Sequence, residues 1–258
     1  MSATTFTAVP RRPSALRAMT RSEFRLMLRE PITFFWGIGF PALVLIVLGA
    51  IPSDRRPSAH YGGASLVSVY VPILVSFAVA MVALNGLPPQ LAGYRERGIL
   101  RRLRTTPVGA LRLVAAQLAV YLVMATCSTL LLLAIGRFAF GVGLPDQWLL
   151  YLLELAFTIT AMLALGVLIA SLASGSRVAN ACGAIVFFPM MFFAGLWVPR
   201  EAMGTVLRHI SDFTPLGAGV GAMQDASRGV ALAPAHLIVL LVYAVACVGL
   251  AIQSFRWE

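Results

Sequence analysis

Six stretches of this chain are each long and apolar enough to cross a lipid bilayer, and that feature constrains its fold more than any other. A helix rises 1.5 Å per residue, so about 20 apolar residues span the hydrocarbon core. Ile32–Ile51, Ala64–Gly86, Leu113–Ile135, Val178–Val198 and Leu237–Phe255 qualify without a single charge, and Trp148–Ser174 qualifies with one, Glu154. Together they hold 133 of the 258 residues. The composition agrees: 59% hydrophobic, 12% charged, mean hydropathy +0.87. The expected fold is all-α, a polytopic membrane protein with six transmembrane helices. The 31 residues ahead of the first span, and its 20-residue apolar core, predict an anchored segment rather than a cleaved signal.

Charge placement narrows the function. All 20 basic residues are arginine. A chain without lysine cannot build a Walker A loop or a lysine Schiff base. Cys127, Cys182 and Cys247 are scattered through apolar runs, and His60, His209 and His236 lack ligand spacing, so neither disulfides nor a metal centre is expected. A self-contained ATPase, a metalloprotein and a soluble enzyme are all disfavoured. With six spans, 14 arginines fall on the side of both termini and 6 on the other. The positive-inside rule makes the former cytoplasmic, in the plasma membrane. The net charge of +10 is confined to flanks of spans, which points to membrane lipids and not to nucleic acid.

Residues 1–13 read as a disordered tail. From Ser14, Arg17, Arg21, Arg25 and Arg29 recur every fourth residue, with Leu16, Met19, Phe24, Met27 and Leu28 on the other half of the wheel. This predicts a cationic amphipathic helix in the interface, broken by Pro31; a helix-free basic flank is the alternative. Between spans two and three, Pro88 and Pro89 are expected to end the second span, or with Asn85 and Gly86 to bend it for gating. A basic segment at 93–107 follows, with Ile99, Leu100 and Leu103 at helical spacing. So charged a short helix either stays in solvent or docks on another protein.

Other residues leave two readings open. Glu154, the only ionisable residue within a span, is either a substrate or proton contact, or an interhelical hydrogen-bonding or interfacially solvated acid. Phe187, Phe188, Met190, Met191 and Phe192 offer a soft apolar surface suited to varied ligands, or an ordinary packing face. In the outer segment 199–236, Met203, Val206, Leu207 and Ile210 form one helical face, Pro215 interrupts it, and a second short helix is expected at Ala218–Ser227.

The loop sequence Tyr94-Arg95-Glu96-Arg97-Gly98-Ile99-Leu100, continuing to Leu103, Thr106 and Pro107, resembles the coupling segment of permease subunits of type-two ABC exporters. Tyr94 stands where that family commonly has an acid. Phe193-Ala194-Gly195-Leu196-Trp197-Val198-Pro199, followed by Thr214-Pro215-Leu216, resembles the family's far end, with Ala194 where Ser is common. Within the family the chain is most similar to daunorubicin-resistance-type permeases of actinobacteria. The resemblance implies a transport subunit that binds no cofactor itself, with ATP and Mg on a separate ABC ATPase, and a dimer with a second permease copy or paralogue. It implies export of a hydrophobic or amphipathic drug, antibiotic or lipid-like substrate. Arg95, Glu96, Gly98, Ile99, Leu100 and Leu103 would couple to the ATPase, Glu96 by pairing with a cation and the three apolar residues by filling a groove. Spans two and five would line the path at the dimer interface, and the outer segment would be partly re-entrant. The competing functions are a secondary transporter, for which only Glu154 is available as a coupling group, and a non-transporting membrane scaffold.

Overall fold

The computed structural model describes residues 15–104, 110–230 and 233–254, which form helices and turns. An amphipathic helix α1 (Ala15–Met27) precedes the first span, α2 (Pro31–Ala50). The second span, α3 (Leu66–Glu96), is followed by the short α4 (Ile99–Arg104) and by the third span, α5 (Leu111–Ala139). Spans four and five are α6 (Trp148–Leu172) and α7 (Ser176–Ala194). The outer segment holds α8 (Thr205–Asp212) and α9 (Pro215–Ser227), and α10 (Pro234–Ser254) is the sixth span. The tail at 1–13, Thr105, Thr106 and Pro107 lie outside the described residues.

Several spans carry prolines, and spans one and two handle the lost donors differently. In α2, Pro41 cannot donate to the Gly37 carbonyl in α-helical register. The Ser128 hydroxyl of α5 donates to that carbonyl instead, at 2.8 Å. In α3 the helix does not end at Pro88–Pro89, contrary to expectation. A π-helical turn at Met81–Gly86 shifts the register, Leu87 N–H bonds to the Val82 carbonyl, and the chain stays helical to Glu96. Leu84 O then faces Pro88 in the α register and Pro89 in the π register, neither of which has an N–H. Ala83 O loses its α partner, Leu87, to Val82. These two carbonyls are the ones on which glycines of the neighbouring spans press. A Cβ at Gly166 would lie 2.1 Å from Ala83 O, and one at Gly183 would lie 2.0 Å from Leu84 O. Each glycine thereby brings a Cα–H against a carbonyl short of a donor.

Span two is the core of the molecule, with 78% of its apolar window buried, whereas spans one, five and six are each only 28% buried. Leu45, Ile73, Leu74, Leu84, Leu87, Met162 and Met191 form the fully covered centre. Ile185, Ile238, Val245 and Ile252 face outward, as apolar surface in contact with lipid should.

The second helix of the segment 199–236 starts three residues earlier than the expected Ala218. Pro215 is the first residue of α9, with Thr214 as its N-cap accepting from Gly217 N–H at 3.1 Å. This helix is buried on nearly every side and packs on α6, α7, α10 and α3. Its alternating glycines allow that closeness: Cβ atoms at Gly219 and Gly221 would strike Thr158 and Arg200. In α8, by contrast, Val206, Leu207 and Ile210 are exposed; of the expected face only Met203, in the preceding turn, is buried.

Candidate functional site

The Arg-rich face is organised around the turn from α3 into α4. Gly98 (φ +66°) makes that turn in a conformation that favours glycine. The apolar side of α4 then folds back onto this chain. Leu100 is buried with Tyr94 and Leu113, and Met19, Ile99 and Leu103 pack around them. The expectation that Ile99, Leu100 and Leu103 fill a partner's groove is corrected for Leu100, which is spent on the chain's own core, while Ile99 and Leu103 are half-buried. What α4 and its approach present outward is Glu96, Arg97, Arg101 and Arg102. The burial has a simple cause: six residues cannot hold a helix in water, and the nearest apolar surface belongs to α5 and α1.

Arg95 and Glu96 are both engaged within the chain. The Arg95 guanidinium donates to the carbonyls of Ser171 (3.1 Å), Ala170 (3.4 Å) and Ala173, at the C-terminal end of α6. The Glu96 carboxylate accepts from the Ser176 N–H (3.2 Å) and hydroxyl (3.0 Å), at the N-terminal end of α7. Each charge opposes the partial charge of the helix end it meets. Glu96 thus has a partner inside the chain, where a cation on another protein was expected.

Sequence reading missed Glu23. The arginines of α1 are exposed as expected, the packed edge of the helix runs through Met19, Glu23 and Met27, and Phe24 and Leu28, on the apolar half of the wheel, are exposed. Glu23 is buried, with the Tyr94 hydroxyl 2.9 and 3.1 Å from its two oxygens and Gln117 Nε2 donating at 2.9 Å. It ties α1 to α3 and α5. The available signal was a single acid one turn from each of two methionines in a helix otherwise striped with arginine.

Beside this cluster an open cleft of about 490 Å³ runs between α2, the π-turn of α3 and the start of α7, lined by Glu30, Thr33, Asn85, Gln90, Arg97 and Ser176 among others. It shares Thr33, Asn85 and Gly86 with a second cleft of about 250 Å³ that reaches Trp36 and Asn180. The five residues proposed as a path do not line either cleft. Phe187 and Met191 point into the core, with Phe187 stacked edge-on to Phe77 at 5.5 Å. Phe188 faces outward, and Met190 and Phe192 are half-buried. At 100° per residue, neighbours in sequence are spread around the helix instead of sharing a surface.

Glu154 is 1% exposed, so it is not an interfacially solvated acid. Its Oε2 has no hydrogen-bond partner among the described residues, and Asp225 of α9 is close enough to interact with it. In the segment 199–236 Arg200, read from sequence only as a flanking cation, is buried. It donates to the Gly217 carbonyl (2.8 Å), the Ser211 hydroxyl and the Asp212 carboxylate, and Asp212 also has His236 Nε2 at 3.7 Å. This knot joins α8, α9 and α10.

Six apolar helices, a docked amphipathic helix and the buried α9 define an all-α, multi-pass membrane protein. The chain belongs to the ABC-2 type transporter family, whose model matches residues 14–226. It is 23% identical over 210 residues to YvfS of Bacillus subtilis (strain 168), provisionally named a transport permease, a match covering 78% of this chain and 81% of that protein. The chain is accordingly a membrane-embedded permease of a family that implies an ABC ATPase partner.

Proposed function

We propose that this chain is the membrane subunit of an ATP-driven exporter, with its Arg-rich face and both termini in the cytoplasm and its ATP and Mg held by a separate ABC ATPase. A second copy or a paralogue completes the pathway. The cargo is a hydrophobic or amphipathic molecule, such as a drug, antibiotic or lipid-like compound, and the cell gains resistance by expelling it. The observation that carries this reading is the lysine-free sequence: no phosphate-gripping loop of the Walker type can form on this chain, so a member of this family needs its ATP site elsewhere. The exposed Arg97, Arg101 and Arg102 supply a basic docking surface for that partner. The paired clefts beside Thr33, Asn85 and Trp36, polar at one end and aromatic at the other, suit an amphipathic cargo.

The test is copurification. Tagged wild type should retain an ABC ATPase and its ATP hydrolysis, whereas the chain freed of it should not hydrolyse ATP. Arg101→Glu with Arg102→Glu should lose the ATPase while inserting normally. Hydrolysis by the isolated chain, or full retention by the double variant, would overturn the reading. Thiol labelling of position 101 from the cytoplasmic side and of position 206 from outside checks the orientation.

A further inference from the structure

Covalently, α4 leads only to α3 and α5. Spans four and five are reached from it through space, and the contact is unusual in form. Arg95 and Glu96, adjacent in sequence and opposite in charge, each cap one of the two helix ends that meet at the turn Ala173–Gly175. The α6 end offers carbonyls without intrahelical donors, and the α7 end offers an N–H without an acceptor. One dipeptide at the end of span two satisfies both.

We propose that Arg95 and Glu96 are positioning residues that clasp the α6–α7 turn to the α3–α4 corner, so that displacement of α4 moves spans two, four and five together. The proposal deepens the transport reading and rests on it for the source of the displacement. It gives Glu96 a role different from ion pairing with an ATPase, and the two roles separate chemically. An amide carbonyl at position 96 still accepts from Ser176, so Glu96→Gln keeps the clasp but would break an ion pair. Gly175 supplies an independent handle. Its backbone is extended (φ −169°, ψ 179°), so a side chain is tolerated locally, but a Cβ there would lie 2.8 Å from Glu96 Oε1. Gly175→Val therefore displaces the carboxylate without removing it.

The experiment uses the full chain in lipid nanodiscs, alone and with its copurified ATPase, and reads hydrogen exchange in peptides covering 171–180. In the chain alone, Glu96→Ala and Gly175→Val should speed exchange at the start of α7 by about tenfold, with Glu96→Gln near wild type. With the ATPase bound in all variants, a non-hydrolysable ATP analogue should alter exchange at 171–180 in wild type and Glu96→Gln but not in Glu96→Ala or Gly175→Val. An unchanged nucleotide response in Glu96→Ala overturns the clasp. So does equal loss of ATPase binding in Glu96→Ala and Glu96→Gln, which would assign Glu96 to the partner. Failure of wild type to bind any ATPase refutes the transport reading instead, and the measurement on the chain alone still decides whether the clasp exists.

Discussion

Replacing Gly183 with alanine sets two effects of opposite sign against each other. Within a helix, alanine is favoured over glycine by about 1 kcal/mol, so propensity alone predicts a more stable protein. The structure predicts the reverse. The new Cβ would lie 2.0 Å from Leu84 O and 3.0 Å from Leu84 C, and both atoms are backbone. A carbon–oxygen contact of about 3.3 Å requires α7 and α3 to separate by roughly 1 Å, an overpacking that costs about 1–3 kcal/mol. Leu84 O also loses its Cα–H contact, and the prolines at 88 and 89 cannot replace it; a buried carbonyl left short of a donor adds about 1–3 kcal/mol. The net effect is a destabilisation of about 1–5 kcal/mol. Gly249 in α10 is the control, because nothing lies within 4 Å of its Cβ position, so Gly249→Ala should stabilise by up to about 1 kcal/mol. Thermal unfolding of both variants in the same detergent gives the answer. If Gly183→Ala raises the unfolding temperature as Gly249→Ala does, the close approach of α7 to the π-turn is wrong, and with it the explanation of how span two continues past its prolines.

Glu23→Ala strands the Tyr94 hydroxyl and Gln117, costing about 1–3 kcal/mol and loosening α1; trypsin should then cut faster at Arg17–Arg29, and wild-type protection would refute the anchoring role. Arg200→Leu leaves Asp212, Ser211 and the Gly217 carbonyl without their common donor, and a loss of about 3 kcal/mol is expected, near the low end for breaking a buried pair because Asp212 is partly solvated. Unfolding at wild-type temperature would mean that the knot is not structural. Glu154→Leu should leave the unfolding temperature unchanged or raised, since Oε2 has no hydrogen-bond partner among the described residues; a marked fall would reveal one.

The sequence was a good guide where each residue acts through its own character. Pro31 marked the break between the amphipathic helix and span one, because a missing N–H is harmless only in the first turn of a helix; by the same rule Pro215, expected only to interrupt a helical face, is the first residue of α9, three residues ahead of the expected start at Ala218. The basic stripe was legible because four arginines at a spacing of four, three of them in α1, need no partner to declare a face. The same stripe hid Glu23, whose role depends on Tyr94, 71 residues away, and Gln117, 94 away. Leu100 read equally well as a partner's contact or as core, because hydrophobicity does not say whose surface will cover it.

What the sequence determined by itself is the number of spans, their approximate limits and the side on which the arginines gather. Those follow from transfer free energies that add residue by residue over windows of about 20. Only the tertiary structure decided where the polar groups find partners. Pro88 and Pro89 fail to stop a helix because spans four and five bring glycines to the freed carbonyls, Glu96 meets Ser176 across 80 residues, and Arg200 is buried because α8 and α9 close over it. In a medium without water a polar group must be satisfied by whatever the fold places beside it, and that neighbour is a property of three dimensions.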